Sequence, residues 1–238
     1  MDLNQDKEIE AEAKSYVKSH ERQIIENIAS LSIVSPTNNP FTLFMAGSPG
    51  AGKTEFSKSY IKKLTEKIPD IKVVRIDADE IRDLLPQYNG SNAAVVQGAC
   101  AIAVEKLFDW VQRKKQNAII DGTFSDYELS YDDVTRALHR NRKVDIYYLY
   151  QDPLIAWEFT KKREAIEHRH VSKKMFIDSF FAARDNVNRI KSELGSQIEL
   201  SVIIKNYDNS SEKSFFNVDK VDNFLEFRYT REELGRKL

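Results

Sequence analysis

The chain is nearly without cysteine: Cys100 is the only one in 238 residues, so no disulfide framework can form within it. One sign of charge does not dominate either, with 36 Lys and Arg against 37 Asp and Glu. A general electrostatic pull toward nucleic acid or an anionic membrane is therefore excluded, and such partners would need a local basic patch. No apolar run approaches the roughly 20 residues that span a bilayer. The opening Met-Asp-Leu-Asn-Gln-Asp-Lys-Glu lacks an apolar core, so no signal peptide is expected and the expected location is the cytosol. Repeats and low-complexity tracts are missing as well. What remains is 41% apolar and 31% charged residues, ordinary for a globular protein, at a length that supports one α/β domain.

Five short apolar runs punctuate the chain: 41–46, 71–76, 117–120, 143–150 and 198–204. Each is too short for a helix and most end at Gly, Asp or an Asp-Pro pair, which predicts buried strands. Helical spacing fills the intervals, at 54–67, 91–115, 154–168 and 172–194. Strand–helix alternation of this kind predicts a parallel sheet covered by helices on both faces. Residues 5–29 hold no Gly or Pro and carry Val17, Ile24, Ile25 and Ile28 among charges, so one amphipathic helix is expected there. The turn-rich Ser35-Pro36-Thr37-Asn38-Asn39-Pro40 follows it. The expected organisation is an N-terminal helix and linker over 1–38, then one domain over 39–238.

Gly47-Ser48-Pro49-Gly50-Ala51-Gly52-Lys53-Thr54 matches G-x-x-x-x-G-K-[ST] between an apolar strand and a helical segment. Its glycines let the backbone wrap so that N–H groups face phosphate oxygens, and the following helix adds its positive end. Lys53 is expected to bridge the β- and γ-phosphates of ATP or GTP, and the Thr54 hydroxyl to ligate Mg²⁺. The fold class is thus a P-loop α/β fold with an N-terminal helical extension.

Further candidates lie at strand ends, where ligands collect in an open parallel sheet. Asp77 and Asp79 follow the second run. One can cap the helix that starts near Glu80, and the other can take a proton from an attacking hydroxyl. Asp121 ends the third run before Gly122-Thr123 and suits contact with Mg²⁺ from behind its direct ligands, or a hydrogen bond to the acceptor. In the 91–115 helix, Val96, Cys100, Ala103, Leu107 and Val111 form the expected core stripe. Glu105 is opposite, on a side whose Ala94, Gly98 and Ala101 are small enough for something to approach closely. Lys161, Lys162 and Arg163, with Arg169 further on, form a locally basic stretch able to balance charge on a migrating phosphoryl group. Four histidines, at 20, 139, 168 and 170, show no zinc spacing, and no zinc is expected.

Together, Gly47–Thr54, Ile-Asp-Ala-Asp-Glu-Ile-Arg-Asp-Leu-Leu-Pro at 76–86, Ile-Asp-Gly-Thr at 120–123 and the pair Arg163 and Arg169 resemble the zeta-toxin family of bacterial P-loop kinases. The resemblance covers roughly residues 10 to 195. It implies transfer of the γ-phosphate of ATP or GTP to the 3′-hydroxyl of the amino sugar in UDP-N-acetylglucosamine, with an antitoxin protein as partner. By position it implies Asp79 as catalytic base, Glu105 and Thr123 as acceptor contacts, and both arginines as phosphate contacts. In the family an antitoxin helix can cover the triphosphate site, and residues 5–29 are a candidate to do so in cis. Other acceptors (an antibiotic, a nucleoside or a polynucleotide end) and a regulatory NTPase are the alternative readings.

Overall fold

The computed structural model describes residues 3–167, 170–208, 211–225 and 229–238. The five apolar runs form parallel strands: β1 (Phe41–Ala46), β2 (Val73–Asp77), β3 (Asn117–Asp121), β4 (Lys143–Tyr150) and β5 (Glu199–Lys205). A polar strand that the sequence pattern did not announce, β6 (Ser211–Phe215), adds antiparallel to β5. The sheet order is β2-β3-β1-β4-β5-β6. Because β1 pairs with β3 on one side and β4 on the other, the chain reverses direction across the sheet there. That reversal opens a crevice beyond the carboxyl ends of β1, β3 and β4.

Alternation along β1 sends Leu43 and Met45 to one face and Phe44 and Ala46 to the other, and each pair joins a different buried cluster. On the first face lies α3 (Lys53–Lys67), which contributes Phe56, Tyr60 and Ile61. The second face is covered by α5 (Ala93–Arg113), α6 (Tyr127–His139) and α8 (Lys173–Leu194). The expected stripe of α5, from Val96 to Val111, is buried throughout. Three further helices are α4 (Ala78–Arg82), α7 (Pro153–Glu167) and α9 (Arg231–Lys237).

Residues 5–29 form two helices rather than the expected one, α1 (Leu3–Ser19) and α2 (Glu21–Ala29). The break has a local cause: Ser19 Oγ donates to the carbonyls of Ser15 (3.0 Å) and Tyr16 (3.1 Å), and the His20 ring stacks on Tyr16 at 4.0 Å. Side-chain bonds to the last carbonyls compete with continuation of the helix. Helix α1 packs on α5, burying Ala13 and Val17. It makes the close approach expected at the small side of α5: a Cβ on Gly98 would lie 2.8 Å from Lys14 Cε. From α2, Ile24, Ile25 and Ala29 enter the main core, and Gln116 Nε2 donates to Ala29 O (3.0 Å) and Val34 O (2.7 Å).

Candidate active site

At the end of β1 the backbone turns through Gly47, Gly50 and Gly52, with φ of 140°, 72° and 79°. Gly50 has a steric reason besides its φ, since a Cβ there would sit 2.0 Å from the Ala156 carbonyl oxygen of α7. The P-loop is thereby seated directly on α7. Helix α3 starts at Lys53, so its first N–H groups point into the crevice. Lys53 Nζ donates to Gly47 O (3.0 Å) and Ser48 O (2.7 Å), which holds the ammonium over the loop.

Beside this cradle the β2–β3 register places Asp77 opposite Asp121. Two adjacent carboxylates at the edge of a core repel, and Arg75, on the same strand as Asp77, answers both. Its Nη2 pairs with Asp77 and with Asp121 Oδ2 (2.8 Å), its Nη1 with Glu80 (2.6 Å), and its Nε donates to Ser57 Oγ (2.9 Å). Ser57 Oγ in turn donates to Asp121 Oδ2 (3.0 Å), tying α3 to β3. Burial, then the Asp121 charge, pushes the Asp77 carboxyl above its ordinary range, against the Asp79 N–H and Arg75 that favour its ionised form.

The alternatives left open for the acidic pair separate here. Asp77 is the cap: its Oδ1 accepts from Asp79 N at 2.8 Å and starts α4. Asp79 is one residue into the helix, with its side chain toward the cleft. Arg82 Nη1 donates to Asp79 Oδ1 (2.6 Å), and Arg163 Nη2 of α7 to Asp79 Oδ2 (3.1 Å). Arg82 is buried and reaches with Nη2 to Gln97 Oε1 on α5 (3.0 Å).

One cavity of about 410 Å³ gathers these groups, lined among others by Gly50, Gly52, Lys53, Thr54, Asp77, Asp79, Gln97, Asp121, Thr123, Thr160 and Arg163. Of the residues expected to act, Lys53, Thr54, Asp79, Asp121, Thr123 and Arg163 thus face a common space. The Thr123 hydroxyl bonds to that of Ser125 at 2.7 Å. Glu105 does not line it. It lies two turns further along α5 on the outer face, paired with Arg136 of α6, whose Nη2 is 2.9 Å from Glu105 Oε2. The spacing that suggested a role for Glu105 carries it past the cleft, because α5 runs from the crevice toward the opposite end of the sheet. Arg169 lies outside the described residues. Among the described residues none before Pro49 lines the cavity, and α1 and α2 sit on α5 rather than over the triphosphate cradle.

Several lining or supporting residues had no expected role: Ser57, Arg75, Arg82, Gln97 and Thr160. Arg75 had a sequence signal, a cation in the middle of the apolar run Val-Val-Arg-Ile. Gln97 had none. The available ligands are oxygens, Thr54 and Asp121 both lining the cavity, and among the described residues no group of three or more His, Cys, Asp or Glu could hold a metal ion. This is the donor set expected where Mg²⁺ is held mostly by substrate phosphates and water. No described helix is long and apolar enough to cross a membrane.

A P-loop between a parallel strand and a helix, facing the Asp79 carboxylate and Arg163 across one cavity, fits the class of P-loop phosphotransferases. The chain belongs to the zeta toxin family, whose model matches residues 26–220. Among solved structures it is similar to a chain of the PezAT chromosomal toxin–antitoxin system of Streptococcus pneumoniae, at 16% identity and a TM-score of 0.67, covering 92% of this chain and 95% of that one. It is also similar to a chain of the AvrRxo1-ORF1:AvrRxo1-ORF2 complex with sulphate ions, at 14% identity and a TM-score of 0.61, covering 90% and 70%. The same complex with ATP gives 13% identity, a TM-score of 0.58, and 92% and 70% coverage. At such identities the likeness concerns the fold. No curated protein matches the chain.

Proposed function

We propose that this protein transfers the γ-phosphoryl group of ATP, or GTP, to the 3′-hydroxyl of the amino sugar of UDP-N-acetylglucosamine, as the toxin of a toxin–antitoxin pair. The observation that carries the reading is the meeting of Asp79 and Arg163 across the cleft from Lys53. The acceptor oxygen attacks the γ-phosphorus as the bond from that phosphorus to the β-bridging oxygen breaks. ADP leaves, and the hydroxyl proton passes to Asp79. Lys53 and Arg163 offset the charge spread over the transferring oxygens. Thr54 would hold Mg²⁺, with Asp121 behind it, and the ion would neutralise the triphosphate when bound. Thr123, which lines the cavity two residues beyond β3, hydrogen-bonds the acceptor in this reading.

Family membership and the PezAT likeness support the toxin assignment, and an antitoxin is the protein partner proposed with it. The test is to incubate the protein with Mg-ATP and a panel of UDP-N-acetylglucosamine, other sugar nucleotides, nucleosides and aminoglycosides. Mass spectrometry should then show one added phosphoryl group on UDP-N-acetylglucosamine. Phosphorylation of another panel member alone would overturn the acceptor while keeping the kinase. ATP hydrolysis with no phosphorylated product would overturn both.

A further inference from the structure

We infer that Gln97 sets acceptor specificity by donating a hydrogen bond to a neutral oxygen of the substituent on the carbon next to the one that bears the reacting hydroxyl. The inference rests on the kinase reading and deepens it. Gln97 lines the cleft from the second turn of α5 and is exposed to it. Its amide orientation follows from chemistry: a guanidinium only donates, so the atom 3.0 Å from Arg82 Nη2 must be Oε1. The Nε2 group, with two N–H bonds, is therefore turned away from Arg82, and among the described residues it donates to none.

Arg82 makes this placement stiff. Its side chain is 4% exposed, the Tyr88 ring lies 5.9 Å from its guanidinium, and its other terminal nitrogen holds Asp79 Oδ1 at 2.6 Å. One buried cation thus fixes a carboxylate that accepts a proton and an amide that donates one, side by side. A hydroxyl delivered to Asp79 brings the substituent on the adjacent carbon to the Gln97 amide. An acetamido or hydroxyl oxygen satisfies that donor, a hydrogen leaves it unpaired, and a free ammonium presents donor against donor.

The experiment compares UDP-N-acetylglucosamine with UDP-2-deoxyglucose, using wild type, Gln97→Met and Gln97→Glu. Gln97→Met removes the donor in similar volume, and Gln97→Glu also removes it while keeping an oxygen for Arg82. Wild type should favour the acetamido compound by about tenfold or more in kcat/KM, and both variants should lose that preference through acceptor KM, with the KM for ATP unchanged to about twofold. Preference retained in both variants, or a fall in kcat alone, would reduce Gln97 to a support for Arg82 and overturn the inference. If wild type phosphorylates a different acceptor, the sugar-nucleotide reading fails by itself. Gln97 is then judged on that acceptor, where an acceptor KM unchanged in both variants overturns it. No turnover with any acceptor overturns both.

Discussion

The phosphate wall of the cleft comes from one short stretch of chain, with Pro49, Gly50, Gly52, Lys53 and Thr54 of the P-loop lining it, and is made largely of backbone, whereas the facing wall is assembled from side chains on α4, α5, the segment around the end of β3 and α7. A backbone wall depends on conformation that glycine permits, so it tolerates variation wherever φ and space allow. The side-chain wall depends on charge balance among residues far apart in sequence. Arg75 and Arg82 hold it together, one joining Asp77 and Asp121, the other Asp79 and Gln97. The two walls should therefore fail in different ways: loss of the triphosphate on one side, loss of turnover with the triphosphate still bound on the other.

The largest expected effect is on the phosphate wall. Lys53→Ala removes the only P-loop side chain that carries charge to the phosphates, and kcat/KM should fall by about 10³-fold or more, with weaker ATP binding by calorimetry. Asp79→Asn should lower kcat by about 10²- to 10⁴-fold while the calorimetric affinity for ATP stays within about threefold. If Asp79→Asn also abolished ATP binding, the division into two walls would be wrong, and Arg163 would be acting on the nucleotide through Asp79.

Gly50→Ala probes the seam between the walls. The new methyl would meet Ala156 O at 2.0 Å and Thr160 Oγ1 at 2.7 Å, at a φ of 72°. Strain and overlap together should cost about 3 kcal/mol, seen as a lower unfolding midpoint in denaturant. Because the obstacle is α7, which carries Arg163, kcat should fall too. A variant as stable as wild type would mean that α7 moves freely from the loop, and the seam would not couple the walls.

The unequal construction also explains how much was legible in the sequence. Strands β1 to β5 announced themselves because strands buried on both faces read as continuous apolar runs. The P-loop did so because contiguous backbone geometry demands contiguous residue types. By contrast, β6, Ser-Glu-Lys-Ser-Phe, sits at an edge where one face is open, and its polarity hid it. The His20 break depended on side-chain bonds within a helical pattern that otherwise continues to Ala29. On the facing wall, position alone left Asp77 and Asp79 tied and the family resemblance pointed to Asp79, while the cap that Asp77 Oδ1 gives α4 could be seen only in three dimensions. Gln97 was silent because its role comes from Arg82, fifteen positions away, and from nothing in its own neighbourhood.

Glu105 gives the smallest predicted effect and draws the boundary of the facing wall. The family resemblance puts it with the acceptor contacts, yet it is on the outer face of α5, its side chain 48% exposed and paired with Arg136. Arg136 also has Asp133 at 2.6 Å, Asp132 at 3.2 Å and Asp109 at 3.3 Å, so removing one carboxylate leaves the cation well paired. A half-exposed pair of this kind contributes about 0.2–1 kcal/mol. Glu105→Ala should therefore change acceptor KM and kcat by less than about threefold and leave the unfolding midpoint nearly in place. A tenfold rise in acceptor KM would show that the acceptor reaches two turns down α5. The wall would then extend from Gln97 to Glu105, and Arg136 would be releasing that carboxylate to the substrate rather than holding it for the fold.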